Sequence, residues 1–225
     1  MSLNKFRKFN LVDEQKKNFF RSQISSWLIE HPSVNPYTFT WEGFSRKITS
    51  RFRMLPSFLI IGGAKCGTTS LYAHLIEHPN ILSASIKEVN FFQYIQNSKT
   101  SFYRSHFPIK RQNLITGEAS TQYLVHRFVP KRVHELLPSV KLILLVRNPV
   151  ERAYSEFHYM INLGAQITDN FEDAIESELK RIKIEDEKPE FTIENSNYNH
   201  FQPAFSYLRH GIYSNYISNW LKSFP

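Results

Sequence analysis

Read for its apolar and polar positions, the chain changes character near residue 54. Residues 1–53 are basic, aromatic and weakly periodic. A helix is expected over 15–29, ended by His31-Pro32 and Asn35-Pro36, within an N-terminal extension packed on the main domain. From 54 to 225 the pattern alternates between strand-sized apolar runs and helical spacing. The run 57–61 predicts a strand ending at Gly62-Gly63, and 68–77 a helix that stops before His78-Pro79. A second strand is expected over 81–86, a short helix over 102–107, a strand over 113–117 and a helix over 128–137. The unbroken apolar run 141–146 reads as a strand buried on both faces of a parallel sheet. Pro149 sits in the favoured first-turn position of a helix over 150–161. Residues 180–203 read as a polar surface loop, and 214–224 as a last helix with Ile217, Trp220 and Leu221 inward. The fold class is therefore α/β, a parallel sheet flanked by helices, with ligands at the carboxyl ends of its strands.

The bulk properties narrow this picture only a little. At 225 residues, 41% hydrophobic and 15% aromatic, the chain affords one well-cored domain of 54–225 plus the extension 1–53. A net charge of +8 favours an anionic partner without choosing among nucleotide, nucleic acid, acidic glycan and membrane surface. One cysteine excludes an intramolecular disulfide, and nine histidines lack metal-ligand spacing, so no metal is expected. No apolar segment follows the basic start, and the longest apolar runs are far too short to span a bilayer. The expectation is a soluble, cytoplasmic protein with no membrane span.

The chemistry begins at Gly62-Gly63-Ala64-Lys65-Cys66-Gly67-Thr68-Thr69-Ser70, between a strand and a helix. Such loops bind phosphate because successive backbone N–H groups and a helix N-terminus converge on one anion. The spacing Gly62-x4-Gly67 is that of a P-loop, yet Thr68 stands where an ATP-binding loop requires lysine. The lysine lies earlier, at Lys65. A phosphoryl-transfer enzyme needs its lysine on the terminal phosphates and a Mg²⁺ ion beside them. A sulfuryl group in transfer carries less charge, and one lysine at the bridging oxygen suffices for the leaving phosphate.

A second anion site is suggested by Arg147-Asn148-Pro149-Val150-Glu151-Arg152-Ala153-Tyr154-Ser155. Arg147 ends the apolar strand and offers a planar fork, and Ser155 adds a hydroxyl from the next helix. Within that helix Arg152 reads as a surface charge and Tyr154 as core. In Lys87-Glu88-Val89-Asn90-Phe91-Phe92, Glu88 is a candidate base for an acceptor hydroxyl, and both phenylalanines read as core.

Residues 58–71 resemble the 5′-phosphosulfate loop of sulfotransferases that use 3′-phosphoadenosine-5′-phosphosulfate (PAPS), closest to the heparan sulfate branch and its bacterial relatives. The resemblance implies that Lys65, Cys66, Gly67, Thr68, Thr69 and Ser70 bind the 5′-phosphosulfate, with Lys65 assisting the leaving group. It implies that Arg147 and Ser155 hold the 3′-phosphate, a group that ATP lacks, and that Glu88 is the base. Lys87, Glu118 and Tyr123 are its candidates for acceptor contact. Asn90 departs from a histidine common in that branch, which leaves the details of acceptor contact open, and Ala119 from a lysine, which weakens the expectation of an acidic acceptor. The resemblance covers about 54–225 and stops at Trp220-Leu221-Lys222-Ser223-Phe224-Pro225, before the family's last cofactor loop, so a C-terminally incomplete domain is expected. Sulfuryl transfer from PAPS to a hydroxyl or amine of a glycan or small molecule is the leading expectation, without nucleic acid or metal. A kinase-like P-loop enzyme and a non-enzymatic polyanion-binding module are the alternatives.

Overall fold

The computed structural model describes residues 41–93, 99–166, 168–186 and 205–225; the helix expected over 15–29 lies outside them. The described residues fall into two compact units, one drawn from 24–147 with 213–225 and the other from 148–212.

The first unit is built on a parallel sheet of β1 (Phe58–Gly62), β2 (Ile81–Leu82), β3 (Ile115–Ala119) and β4 (Lys141–Leu144), in the order β2-β3-β1-β4. Its helices are α1 (Trp41–Ile48), α2 (Thr68–Ile76), α3 (Thr100–Ser105) and α4 (Val129–Leu136). Strand β1 is the apolar centre, with every residue buried. Its alternation sorts side chains to two faces, as a pleated strand must. Leu59 and Ile61 join a cluster with Tyr103, Phe107, Tyr123 and Trp220, while Phe58 and Ile60 pack with Tyr72 and Ala119. Gly117 lies opposite Phe58 in the β1–β3 register, and a Cβ there would come within 2.3 Å of the Phe58 ring.

Several expectations are corrected here. The second strand is only two residues long. Strand β4 is partly rather than fully buried, because it forms the edge of the described sheet and Lys141 faces solvent. Beside it lies an apolar groove of about 340 Å³, whose lining includes Leu124, Leu142, Leu144, Trp220 and Phe224. The last helix is Tyr213–Leu221; Trp220 is buried, but Leu221 is 57% exposed. The basic stretch at 46–53 is partly turned inward. Arg53 donates to the Phe107 carbonyl at 2.7 Å, and Arg46 to that of Ser105 at 3.3 Å, while Lys47 and Arg51 are exposed.

In the second unit, α5 (Pro149–Asn162) starts where the Asn148 side chain accepts from the Val150 and Glu151 amides. The next helix, α6 (Phe171–Asp186), occupies part of the stretch expected to be a loop. Its alternating charges form a solvated face, while Ala174 and Glu178 are buried. The helical period also reverses two readings on α5. Arg152 is fully buried, donating to Glu156 and the Tyr207 carbonyl, and Tyr154 is half exposed. Glu178 accepts from the Leu208 and Arg209 amides, which fixes the following turn against α6.

Candidate active site

Three neighbouring strands of the first unit end side by side, and each delivers a segment that the sequence marks for chemistry. Strand β1 runs into the glycine loop. The Gly63 amide donates to the Leu145 carbonyl at 2.9 Å, which ties the loop to the end of β4 just before Arg147. On the other flank, the Ser120 amide donates to the Ile60 carbonyl at 3.1 Å, so β3 delivers residues 118–123 beside the same loop. The carboxyl edge of a parallel sheet is where α/β proteins place ligands.

Within the loop, Lys65 and Gly67 both adopt positive φ, 65° and 88°. Glycine takes that conformation freely, whereas lysine does so at a cost. These turns bring the chain to α2 with its first amides, those of Thr68, Thr69 and Ser70, at the helix start; no side chain caps it. Unsatisfied amides and the positive end of the helix dipole suit an anion. Thr68 is buried, Lys65 half-buried, and Thr69 and Ser70 exposed. A lysine at position 68 would point into the protein, so Lys65 is the loop's only cation.

Tyr213 was not singled out in the sequence, yet it braces this edge. Its hydroxyl donates to the Arg147 carbonyl at 3.0 Å, lies 3.4 Å from the Arg147 amide and 3.6 Å from Cys66 Sγ. One phenol thereby joins the glycine loop to the end of β4. Nothing in the local pattern around Tyr213 signals this, because the contact spans the chain. Arg147 itself is exposed; Ser155 is half-buried on α5 of the second unit.

Glu88 is half-buried, and its Oε1 accepts from Thr121 Oγ1 at 2.9 Å, with Lys87 Nζ at 3.5 Å. Lys87 and Glu88 therefore share one place at the surface. Glu118 and Tyr123 are enclosed instead, 1% and 0% exposed, so they stand behind the surface on which an acceptor would lie. Glu118 Oε1 accepts from Tyr103 at 2.6 Å and Tyr123 at 3.1 Å, and Oε2 from Ser120 at 2.8 Å. Burial pushes this carboxyl up to about 7 although the three hydroxyls favour its charged form; the Glu88 charge adds to the rise. Tyr103 and Tyr123 are held well above the ordinary phenol range by the same burial and the Glu118 charge. A carboxylate within the short strand β3 was the available signal for this network; Tyr103 had none. Among the described residues no group of His, Cys, Asp and Glu is arranged to hold a metal ion.

A parallel sheet of this order, its central strand feeding a glycine loop and a helix N-terminus, defines the class of phosphate-loop α/β proteins. Residues 55–225 match the family model of the sulfotransferase domain, and the chain belongs to that family. It is similar to human heparan sulfate glucosamine 3-O-sulfotransferase 6, 30% identical over 173 residues that cover 77% of this chain and 45% of that protein. It also resembles the membrane-associated sulfotransferase kil1 of Dictyostelium discoideum, at 34% identity over 60% of this chain and 31% of the relative. A solved sulfotransferase from Alicyclobacillus acidocaldarius superposes with a TM-score of 0.61 at 26% identity, covering 76% of this chain and 70% of that one. The chain spans less than half the length of these two curated relatives.

Proposed function

We propose that the chain transfers a sulfuryl group from PAPS to a carbohydrate hydroxyl. The observation that carries this reading is the meeting, at one sheet edge, of the anion loop, the end of β4 and the Glu88–Thr121 pair. In the reaction, the bond between sulfur and the bridging oxygen of the phosphosulfate breaks while a new bond forms from the acceptor oxygen to sulfur. Glu88 takes the acceptor's proton, and 3′-phosphoadenosine-5′-phosphate (PAP) leaves with the electron pair of the broken bond. Lys65 and the amides of Thr68, Thr69 and Ser70 offset the charge that grows on the leaving phosphate. Arg147 and Ser155 are assigned to the 3′-phosphate from the resemblance of residues 147–155 to the sulfotransferase family. The carbohydrate acceptor is taken from the named activity of the heparan sulfate relatives. Ala119 is buried and brings no cation to the acceptor side, so a strongly acidic glycan is not required.

Thermal denaturation with PAP tests the donor. A ligand at a hundredfold its Kd stabilises by about 2.7 kcal/mol, so a clear rise in Tm is expected, without Mg²⁺. No rise at millimolar PAP would sink the reading. Turnover of labelled PAPS with a panel of oligosaccharides then tests the acceptor, with Glu88→Gln expected to lose about a hundredfold or more in kcat.

A further inference from the structure

Glu118 does more than fill an interior position, because the groups it holds are those that hold the segment bearing Glu88. Ser120 Oγ donates to Glu118 and, from its other side, accepts the Asn90 amide at 3.1 Å. Tyr123 Oη donates to Glu118 and lies 3.5 Å from the Phe92 amide. Thr121, between these two residues in sequence, donates to Glu88 itself. The 88–92 segment is therefore tied at three points to the short turn after β3, and that turn is gathered on one buried carboxylate. Asn90 sits at φ 53°, in the left-handed region that asparagine tolerates.

We infer that Glu118 is a positioning residue that orients Glu88 through Ser120 and Tyr123. The chemistry of the carboxylate is specific to this task. It accepts all three hydroxyl protons, which leaves the oxygens of Ser120 and Tyr123 facing the backbone amides of the segment. A glutamine of the same shape presents N–H₂ on one side. Either Ser120 or the tyrosine pair then keeps a hydroxyl proton without an acceptor, and the hydroxyl must turn. The consequence falls on the Asn90 and Phe92 amides, and through them on Glu88.

The inference rests on the assignment of Glu88 as the base, and the experiment separates the two. Glu118→Gln is expected to lower kcat roughly tenfold to a hundredfold while KM for PAPS and the PAP-induced rise in Tm stay unchanged. In a Glu88→Gln background the same change is expected to have no further effect, since a positioning residue acts only through the group it positions. Full turnover by Glu88→Gln would overturn the base assignment, and with it the inference. Full turnover by Glu118→Gln beside an inactive Glu88→Gln would overturn the inference alone, as would an undiminished effect in the double variant. A second readout does not depend on turnover: hydrogen exchange at the Asn90 amide. It should accelerate in Glu118→Gln more than at amides of β1, whereas uniform acceleration would mean a merely structural role. Should Glu118→Gln fail to fold, Ser120→Ala removes the hydroxyl that links the Asn90 amide to Glu118, and unchanged exchange at Asn90 in that variant overturns the proposal.

Discussion

Replacing Lys65 alters two quantities at once, and they can be pulled apart. The side chain supplies the loop's cation, and the backbone holds φ at 65°. Lys65→Ala removes the charge and keeps the unfavourable conformation; Lys65→Gly removes both. Both variants are expected to lose most turnover, yet Lys65→Gly should be the more stable by about 1 kcal/mol, measured by urea unfolding. Equal stabilities would mean that the loop relaxes once lysine is gone. Tyr213→Phe is expected to leave the two Arg147 backbone groups and Cys66 without their shared partner. A loss of about 1 kcal/mol is expected, together with weaker PAP binding in the thermal assay.

At the scale of elements, β3 and β1 fit closely at Gly117. A methyl group at Gly117 would meet three atoms of the Phe58 ring between 2.3 and 2.5 Å away. Gly117→Ala must push that ring out of its cluster with Ile60, Tyr72 and Ala119, at a cost of about 2–3 kcal/mol. Phe58→Leu in the same chain should recover part of the loss, as read from denaturant midpoints. The elements themselves were largely legible, because β1, α2, α4 and α5 each carry a recognisable period and a turn or cap signal. The P-loop placement followed directly from them. What escaped has a common physical cause: burial depends on partners distant in sequence. The run at β4 is as apolar as a central strand but lies at the edge of the described sheet. Arg152 reads as a surface charge until Glu156 and the Tyr207 carbonyl are known to enclose it. In the same way the acidic residue of β3 is identifiable from sequence, but its three hydroxyl donors are not.

For the molecule as a whole, acid is the condition that sets these buried groups against the fold. Burial lowers His106 and His126 to about 4 and His210 to about 3, against 6.5 for the free group. Between those values the unfolded chain binds more protons, so the three histidines make stability fall as pH drops below 6.5. Glu118 works in the opposite direction. Its folded value of about 7 lies above its ordinary 4.5, so between 4.5 and 7 the folded chain binds the extra proton and stability falls as pH rises. Three groups outweigh one, and Tm is expected to decline on acidification from pH 6.5 to 4. In Glu118→Gln the decline should be steeper over the same range, because this opposing group is gone. A pH series of melting curves for the two proteins checks both statements.

The strand that carries the anion loop has a further consequence, one of timing. β1 pairs with β3 and β4, and both follow it in the chain, the second only at residues 141–144. During synthesis, therefore, the most apolar of the described strands waits with both edges open until β3 emerges at residues 115–119, and with one edge open until β4 follows at 141–144. Contacts so far apart in sequence close slowly, and an open apolar edge in the meantime is a template for other chains. Folding yield for this protein should thus be governed by how long β1 waits for β4.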